Sequence, residues 1–356
     1  MKFIKYIAKP CLLILPIFFF YLSETSVKAS DSLLSSEKPE INKRAVGKRI
    51  AIFPFDNFTI DDNALNALMP VIQEEMKDRG YYVVGEQELY SSICKDRMRE
   101  TGNISKGLAK KISDIFNVEG ILLGSIVSYS VEEKPRFGLI ARLIDPSDGS
   151  ILWADYFSAT GDDFITVLGL GEIKEMDKLI PKVVKSLFES FTTETPQKDA
   201  AYRIAVMPFM NDTDYKDAGK IASQMFVVHL FKDSSFIPVE YGEVRKQLID
   251  LRIRVKGNLD YATITELTKV IDVDGFLLGE VGLYFNGVQL NAPPAASVSA
   301  RLIGSVNKKI LWYDHGQMSG DDDVIIYDWR RLRSVDKVAD KIVTKLVNNL
   351  EKTKWN

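Results

Sequence analysis

Arg49-Ile-Ala-Ile-Phe-Pro-Phe55, followed by Asn57 and Thr59, returns as Arg203-Ile-Ala-Val-Met-Pro-Phe209, followed by Asn211 and Thr213, at an offset of 154 residues. Further matches follow in the same order. Gly102-Asn103 returns as Gly257-Asn258, and Gly120-Ile-Leu-Leu-Gly124 as Gly275-Phe-Leu-Leu-Gly279, both at offset 155. Ala141-Arg-Leu-Ile144 with Ile151-Leu-Trp153 returns as Ala300-Arg-Leu-Ile303 with Ile310-Leu-Trp312 at offset 159, and Gly161-Asp-Asp163 returns as Gly320-Asp-Asp322. Collinear matches with small drift mean duplication. Residues 48–191 and 202–352 are therefore two copies of one domain. The polar segment 192–201, with Pro196 and no apolar periodicity, reads as their linker.

Within each copy the opening run is continuously apolar, as in a strand covered on both faces, with Pro54 near its end. Leu65, Leu68, Met69, Ile72 and Met76 then form a helical stripe, matched by Ile221, Met225 and Val228 in the second copy. A short strand at 81–84, helices over 86–99 and 104–117, and a long strand from Gly120 are expected next. A hairpin of 137–144 with 150–157 follows, turned by Asp145-Pro-Ser-Asp-Gly149. Each copy closes with its clearest amphipathic helix, through Leu179, Val183 and Leu187 or through Val338, Ile342 and Leu346. The order β-α-β-α-α-β-β-β-α predicts an α/β (α+β) fold. Two tandem mixed sheets of about five strands are each packed with helices.

The first 29 residues differ from the rest. Lys2, Lys5 and Lys9 precede an apolar run from Cys11 to Leu22, and Val27 and Ala29 place small residues before a cut at Ser30, as in a secretory signal peptide. Residues 30–47 read as a flexible arm. Cys11 lacks a lipobox and precedes the apolar core, which argues against lipidation. Removing the leader takes away four lysines and one glutamate, moving the formal charge from −3 to −6, which gives no support to nucleic-acid binding. No other stretch reaches the ~20 apolar residues of a spanning helix, so no transmembrane span is expected in the mature chain. Cys94 is then the single remaining cysteine and reads as a buried thiol in a helix.

The motif Ile204-Ala-Val-Met-Pro-Phe209 with Asn211, Leu277-Leu-Gly279, and Ala141-Arg-Leu-Ile-Asp145 with Gly149 and Ile151-Leu-Trp153 resembles the CsgG-like and TolB amino-terminal-like domain group. The resemblance covers almost the whole mature chain twice over. It implies an envelope protein of the periplasm, peripheral to the outer membrane, that acts by protein contact in assembly, scaffolding or secretion. Relatives in the group include a curli secretion channel subunit, an activator of penicillin-binding proteins and the TolB domain. The chain departs from the curli subunit in lacking a lipobox and in being duplicated.

Chemistry-bearing patterns are sparse. His229 and His315 are the two histidines, and neither has a ligand-spaced neighbour. Neither a nucleophile elbow nor a phosphate loop is present, and Gly169-Leu-Gly171 lacks the third glycine of a dinucleotide loop. The chain is expected not to be an enzyme and to need no cofactor or metal. Asp61-Asp62, Asp162-Asp163 and Asp321-Asp322-Asp323 read as turn and helix caps ahead of a calcium reading. Candidate interaction residues are Asn57 and Asn211 after the first strands, and the apolar segments after the acidic clusters. Those segments hold Phe164, Ile165 and Leu168 in one copy, and Ile325, Ile326, Tyr327 and Trp329 in the other. For the asparagines a turn-forming role competes with a binding one, and for the apolar residues core packing does. The expected partner is an envelope protein, and a homo-oligomer is left open. Two alternatives compete: a subunit of an outer-membrane secretion channel, and a periplasmic small-molecule binder using the cleft between copies. The windows available for a channel hairpin are 16 residues between Gly124 and Ala141 and 20 between Gly279 and Ala300.

Overall fold

The structure, a computed structural model, describes residues 48–95, 102–132, 134–165, 171–198, 201–254, 259–287, 292–322, 324 and 331–353. The leader, the arm and the side chain of Cys94 lie outside this set. In the first half β1 (Arg49–Ile52), β2 (Asp56–Asn57), α1 (Ala64–Asp78), β3 (Tyr82–Val83), α2 (Glu86–Lys95) and α3 (Lys106–Phe116) precede three long strands. These are β4 (Gly120–Ser130), β5 (Arg136–Ile144) and β6 (Ile151–Thr160), and α4 (Met176–Leu187) closes the half. The second half repeats the order: β7 (Tyr202–Val206), β8 (Met210–Asn211), α5 (Ala218–Lys232), β9 (Phe236–Val239), α6 (Tyr241–Asp250) and α7 (Tyr261–Thr268). Then come β10 (Gly275–Phe285), β11 (Ala295–Gly304), β12 (Ile310–Ser319) and α8 (Val335–Glu351).

Each half holds one mixed sheet of six strands, ordered β3-β1-β4-β5-β6 with β2 on β4, and β9-β7-β10-β11-β12 with β8 on β10. The sixth strand in each is the two-residue β2 or β8. It forms because Pro54 or Pro208, lacking an N–H, interrupts the first strand, and the chain rejoins the central strand just beyond. The repeated Phe and Gly of the motifs belong to one contact. A Cβ at Gly124 would fall 2.2 Å from the Phe55 ring, and one at Gly279 would fall 2.0 Å from Phe209. The ring therefore lies flat on the strand. β4 and β5 pair from Ile121↔Ile144 out to Ser130↔Arg136, so the first candidate channel window is taken up by sheet and turn. Among the described residues no helix is long and apolar enough to cross a membrane.

The two halves share a core, which the sequence reading of tandem domains did not anticipate. Phe53, Leu123, Ile140 and Ala154 of the first half join Phe226, Val298, Leu302 and Ile342 of the second in one apolar cluster, and residues 46–356 form one compact unit. The layers run α1 and α4, first sheet, then α2, α3, α5 and α8, second sheet, then α6 and α7. The cause is visible in α5. Its counterpart α1 buries a single stripe of Ala64, Leu68, Ile72 and Met76. By contrast α5 buries Ile221, Ala222, Met225, Phe226, Val227, Val228 and Leu230, because one side meets its own sheet and the other meets β5 and β6. A helix that is apolar all round is buried all round. Each large side chain so buried contributes about 1.5–3 kcal/mol.

Candidate functional site

The seam between the halves carries most of the buried polar chemistry. Arg142, in the middle of β5, and Glu240, immediately before α6, are each 1% exposed at the side chain. Arg142 Nε donates to Glu240 Oε2 at 2.9 Å, and Nη2 donates to Glu240 Oε1 at 3.2 Å and to the Gly102 carbonyl at 2.8 Å. Around this pair Tyr156 Oη donates to Asp336 Oδ2 at 2.9 Å, and Lys337 Nζ donates to Asp163 Oδ2 at 2.5 Å. Lys232 pairs with Asp155, and His229 Nε2 lies 2.7 Å from Asp340 Oδ1, joining α5 to α8.

These contacts set protonation. Burial, reinforced by the charges of Asp336 and Asp340, pushes the Tyr156 phenol well above the usual tyrosine range. Burial with Asp336 and Tyr215 does the same to Tyr284, and burial with Asp336 and Asp217 takes Tyr215 up to about 12. All three phenols are therefore hydrogen donors near neutral pH. Burial acts to raise the Asp163 carboxyl, but Lys337 and the Thr160 donors outweigh it and hold it below the usual carboxylate range.

The equivalent surface of the second half is open. By the strand register Gly138↔Ser158, Ile140↔Tyr156 and Arg142↔Ala154 in the first half correspond to Ser297↔Gln317, Ser299↔His315 and Arg301↔Tyr313 in the second. The first set lies beneath the second half's helices. The second set faces outward, with Tyr313 63% exposed and His315 Nε2 at 3.1 Å from Ser297 Oγ.

A groove of about 670 Å³ runs between β6 and the linker, lined by Trp153, Asp155, Ser190, Pro196, Phe231 and Lys232 among others. Trp153 Nε1 donates to Ser190 Oγ at 3.0 Å, and that hydroxyl donates to Asp155 Oδ2 at 2.7 Å. Lys198 holds the linker above it. Its ammonium donates to the carbonyls of Phe231, Asp233 and Phe236, from the end of α5 to the start of β9, and burial draws its pKa down to about 8 against the pull of Asp233.

The sequence candidates that the structure describes, Asn57, Asn211, Phe164 and Ile165, are distributed around this framework rather than gathered in it. Asn57 Nδ2 donates to the Asp61 carbonyl and Asn57 Oδ1 accepts from Thr59, while Asn211 makes the same turn with Tyr215, Lys216 and Thr213. The acidic clusters also hold turns. Asp61 accepts from the Asn63 N–H, Asp163 from Thr160, and Asp322 from the Ser319 N–H. Phe164 packs against the core under α1 and α4 with the Lys182 ammonium 4.7 Å from its ring centre, and Ile165 is 43% exposed. Leu168, Ile325, Ile326, Tyr327 and Trp329 lie outside the described residues. Sequence reasoning missed Arg142, Glu240, Tyr156 and Asp336. One signal was available: an arginine in the middle of the apolar strand Phe137–Ile144 needs a buried partner.

No family model and no curated protein matches the chain. Similar solved structures include a PelC dodecamer from Paraburkholderia phytofirmans, at 19% identity and TM-score 0.31, covering 45% of this chain and 94% of that one. Lipoprotein GNA1162 from Neisseria meningitidis is similar at 20% identity and TM-score 0.30, covering 40% and 99%. TolB from Acinetobacter baumannii is similar at 11% identity and TM-score 0.26, covering 44% and 29%. The finer CsgG-like assignment rests on the sequence motifs alone.

Proposed function

We propose that this is a non-catalytic protein of the cell envelope, exported by its leader to the periplasm, that works by binding other proteins. One observation carries the reading. The face of β5 and β6 is a protein-docking face within the chain itself, and the same face of β11 and β12 is open and presents Tyr313. The charged groups of the seam other than Asp336 support a structural use, since they are engaged in ion pairs and turn bonds. A photo-crosslinking residue at Tyr313 or Gln317, in cells, should yield a discrete protein adduct, whereas one at Asn66 on the outer side of α1 should not. Equal or absent adducts at all three positions would sink the proposal. The groove below the linker favours a second reading, a small-molecule site. A ligand that raises the melting temperature, and loses its effect in Ser190→Ala, would support that reading.

A further inference from the structure

The two sheets end in four edges, and three of them are protected. β3 is two residues long, and β9 is four residues long with Pro238 among them. Beside β6 run the linker and the end of α5, and residues Ile151 to Ala154 are buried there. Short strands, proline and cover are the usual defences of a sheet edge. The edge at β12 lacks them. It is ten residues long, its main neighbours are β11 and α8, and Ile310–Ser319 contains neither lysine nor proline. Ile310 is 62% exposed where its counterpart Ile151 is 5% exposed. Register with β11 is unbroken from Trp312 to Ser319, so the edge is also regular.

The main chain of this edge is oriented to receive a strand. The His315 N–H donates to the side chain of Asp314 rather than to β11, so it points outward. Hydrogen-bonding groups alternate along an antiparallel strand, so Tyr313 and Gln317 also turn their N–H and C=O outward. Among the described residues no main-chain hydrogen bond reaches these groups from outside the sheet. Their side chains lie on the open face. On the other face α8 passes over β11 and β12, and its flank at the edge carries Asn349 and Lys345. Asn349 donates to Asp314 Oδ2 at 2.8 Å, while the Lys345 ammonium meets Met318 Sδ at 3.4 Å. Sulfur is a weak acceptor, and no carboxylate pairs with Lys345 among the described residues. An extended segment laid along β12 would therefore find main-chain partners and an unneutralised cation beside them.

We propose that β12 takes up an extended, acidic segment of another envelope protein as an added strand, paired through the main chain of Tyr313 and Gln317 with a carboxylate of the segment on Lys345. This deepens the protein-binding reading of the same face and rests on it. A second copy of the chain is the poorer occupant. Pairing β12 with itself would set the Lys345 flanks of two α8 helices side by side, two strand spacings or roughly 10 Å apart, at like charge. The test uses the whole exported chain in cells, with a photo-crosslinking residue at Tyr313, His315 or Gln317 in turn and the crosslinked partner residues mapped by mass spectrometry. Paired strands share a face at every second residue, so the mapped residues should shift by two along one stretch of the partner at each step. Lys345→Glu, at an exposed helical position, should lower the adduct yield about two- to fivefold and leave the melting midpoint unchanged. Partner residues three or four apart, or scattered over the partner, would overturn strand addition and leave protein binding at this face intact. Adducts joining two copies of the chain, or a yield unchanged in Lys345→Glu, would overturn the acidic partner. The absence of any adduct would remove both readings.

Discussion

Removing the carboxylate of Glu240 should open the seam. In Glu240→Ala the Arg142 guanidinium stays 1% exposed and loses both of its carboxylate bonds, at 2.9 and 3.2 Å, keeping the Gly102 carbonyl at 2.8 Å. Breaking a buried pair on one side costs about 3–5 kcal/mol, because an uncompensated charge is left in the core. Replacing both partners with apolar residues of similar volume is often neutral or stabilising. Arg142→Met with Glu240→Met should therefore unfold much closer to wild type than Glu240→Ala does. Urea unfolding of the exported chain and the two variants measures this directly, and the single variant should also release half-length fragments on brief proteolysis. A loss below about 1 kcal/mol for Glu240→Ala, where an uncompensated buried charge costs several, would mean that the guanidinium is solvated and the seam is not closed as described.

Three further outcomes are expected. Because the folded pKa of Asp163 lies below its unfolded value, its pairing stabilises the protein above the unfolded pKa and is lost as pH falls through the folded one. Stability measured from pH 6 downward should thus fall less steeply in Lys337→Met than in wild type. Gly279→Ala would place a methyl 2.0 Å from Phe209 and should cost about 1–3 kcal/mol or more, seen as a lowered melting midpoint. Lys198→Met removes the donor to three carbonyls between the end of α5 and the start of β9, so a glutamate-specific protease should cut after Glu194 faster than in wild type, and equal rates would mean that the linker is held by something else.

Much of the fold is legible in the repeat. The hairpin strands, the closing helices and the central strand from Gly120 carry strong periodicity, and each appears twice, so one copy corroborates the other. The strands at Asp56–Asn57 and Met210–Asn211 are too short to carry a period, and they arise from the proline interruption instead. The shared core was partly written in α5, where Met225-Phe-Val-Val-His-Leu230 is apolar on nearly every side. Reading a single stripe there hid the second buried face. Asp336 could not be singled out from sequence, because an acidic residue in the first turn of a helix is also what the helix dipole favours at a solvent-exposed end.

The way the halves join bears on whether a third unit could be added in the same manner. A head-to-tail contact between like units has no built-in end, so it propagates into rings or filaments unless something terminates it. Here the residues that mate the halves are not carried to the outer surfaces. Val227, Val228 and Phe231 on α5 correspond to Gln73, Glu74 and Lys77 on α1, and Ile140 and Ala154 correspond to Ser299 and Tyr313. A third unit added in the same way would set Asp78 against Asp314 and Gly85 against Arg301, giving repulsion where Lys232 and Asp155 attract and an empty position where Glu240 meets Arg142. The contact that joins the halves is thus not offered a second time by this chain's own outward surfaces, whose chemistry differs from that buried at the seam.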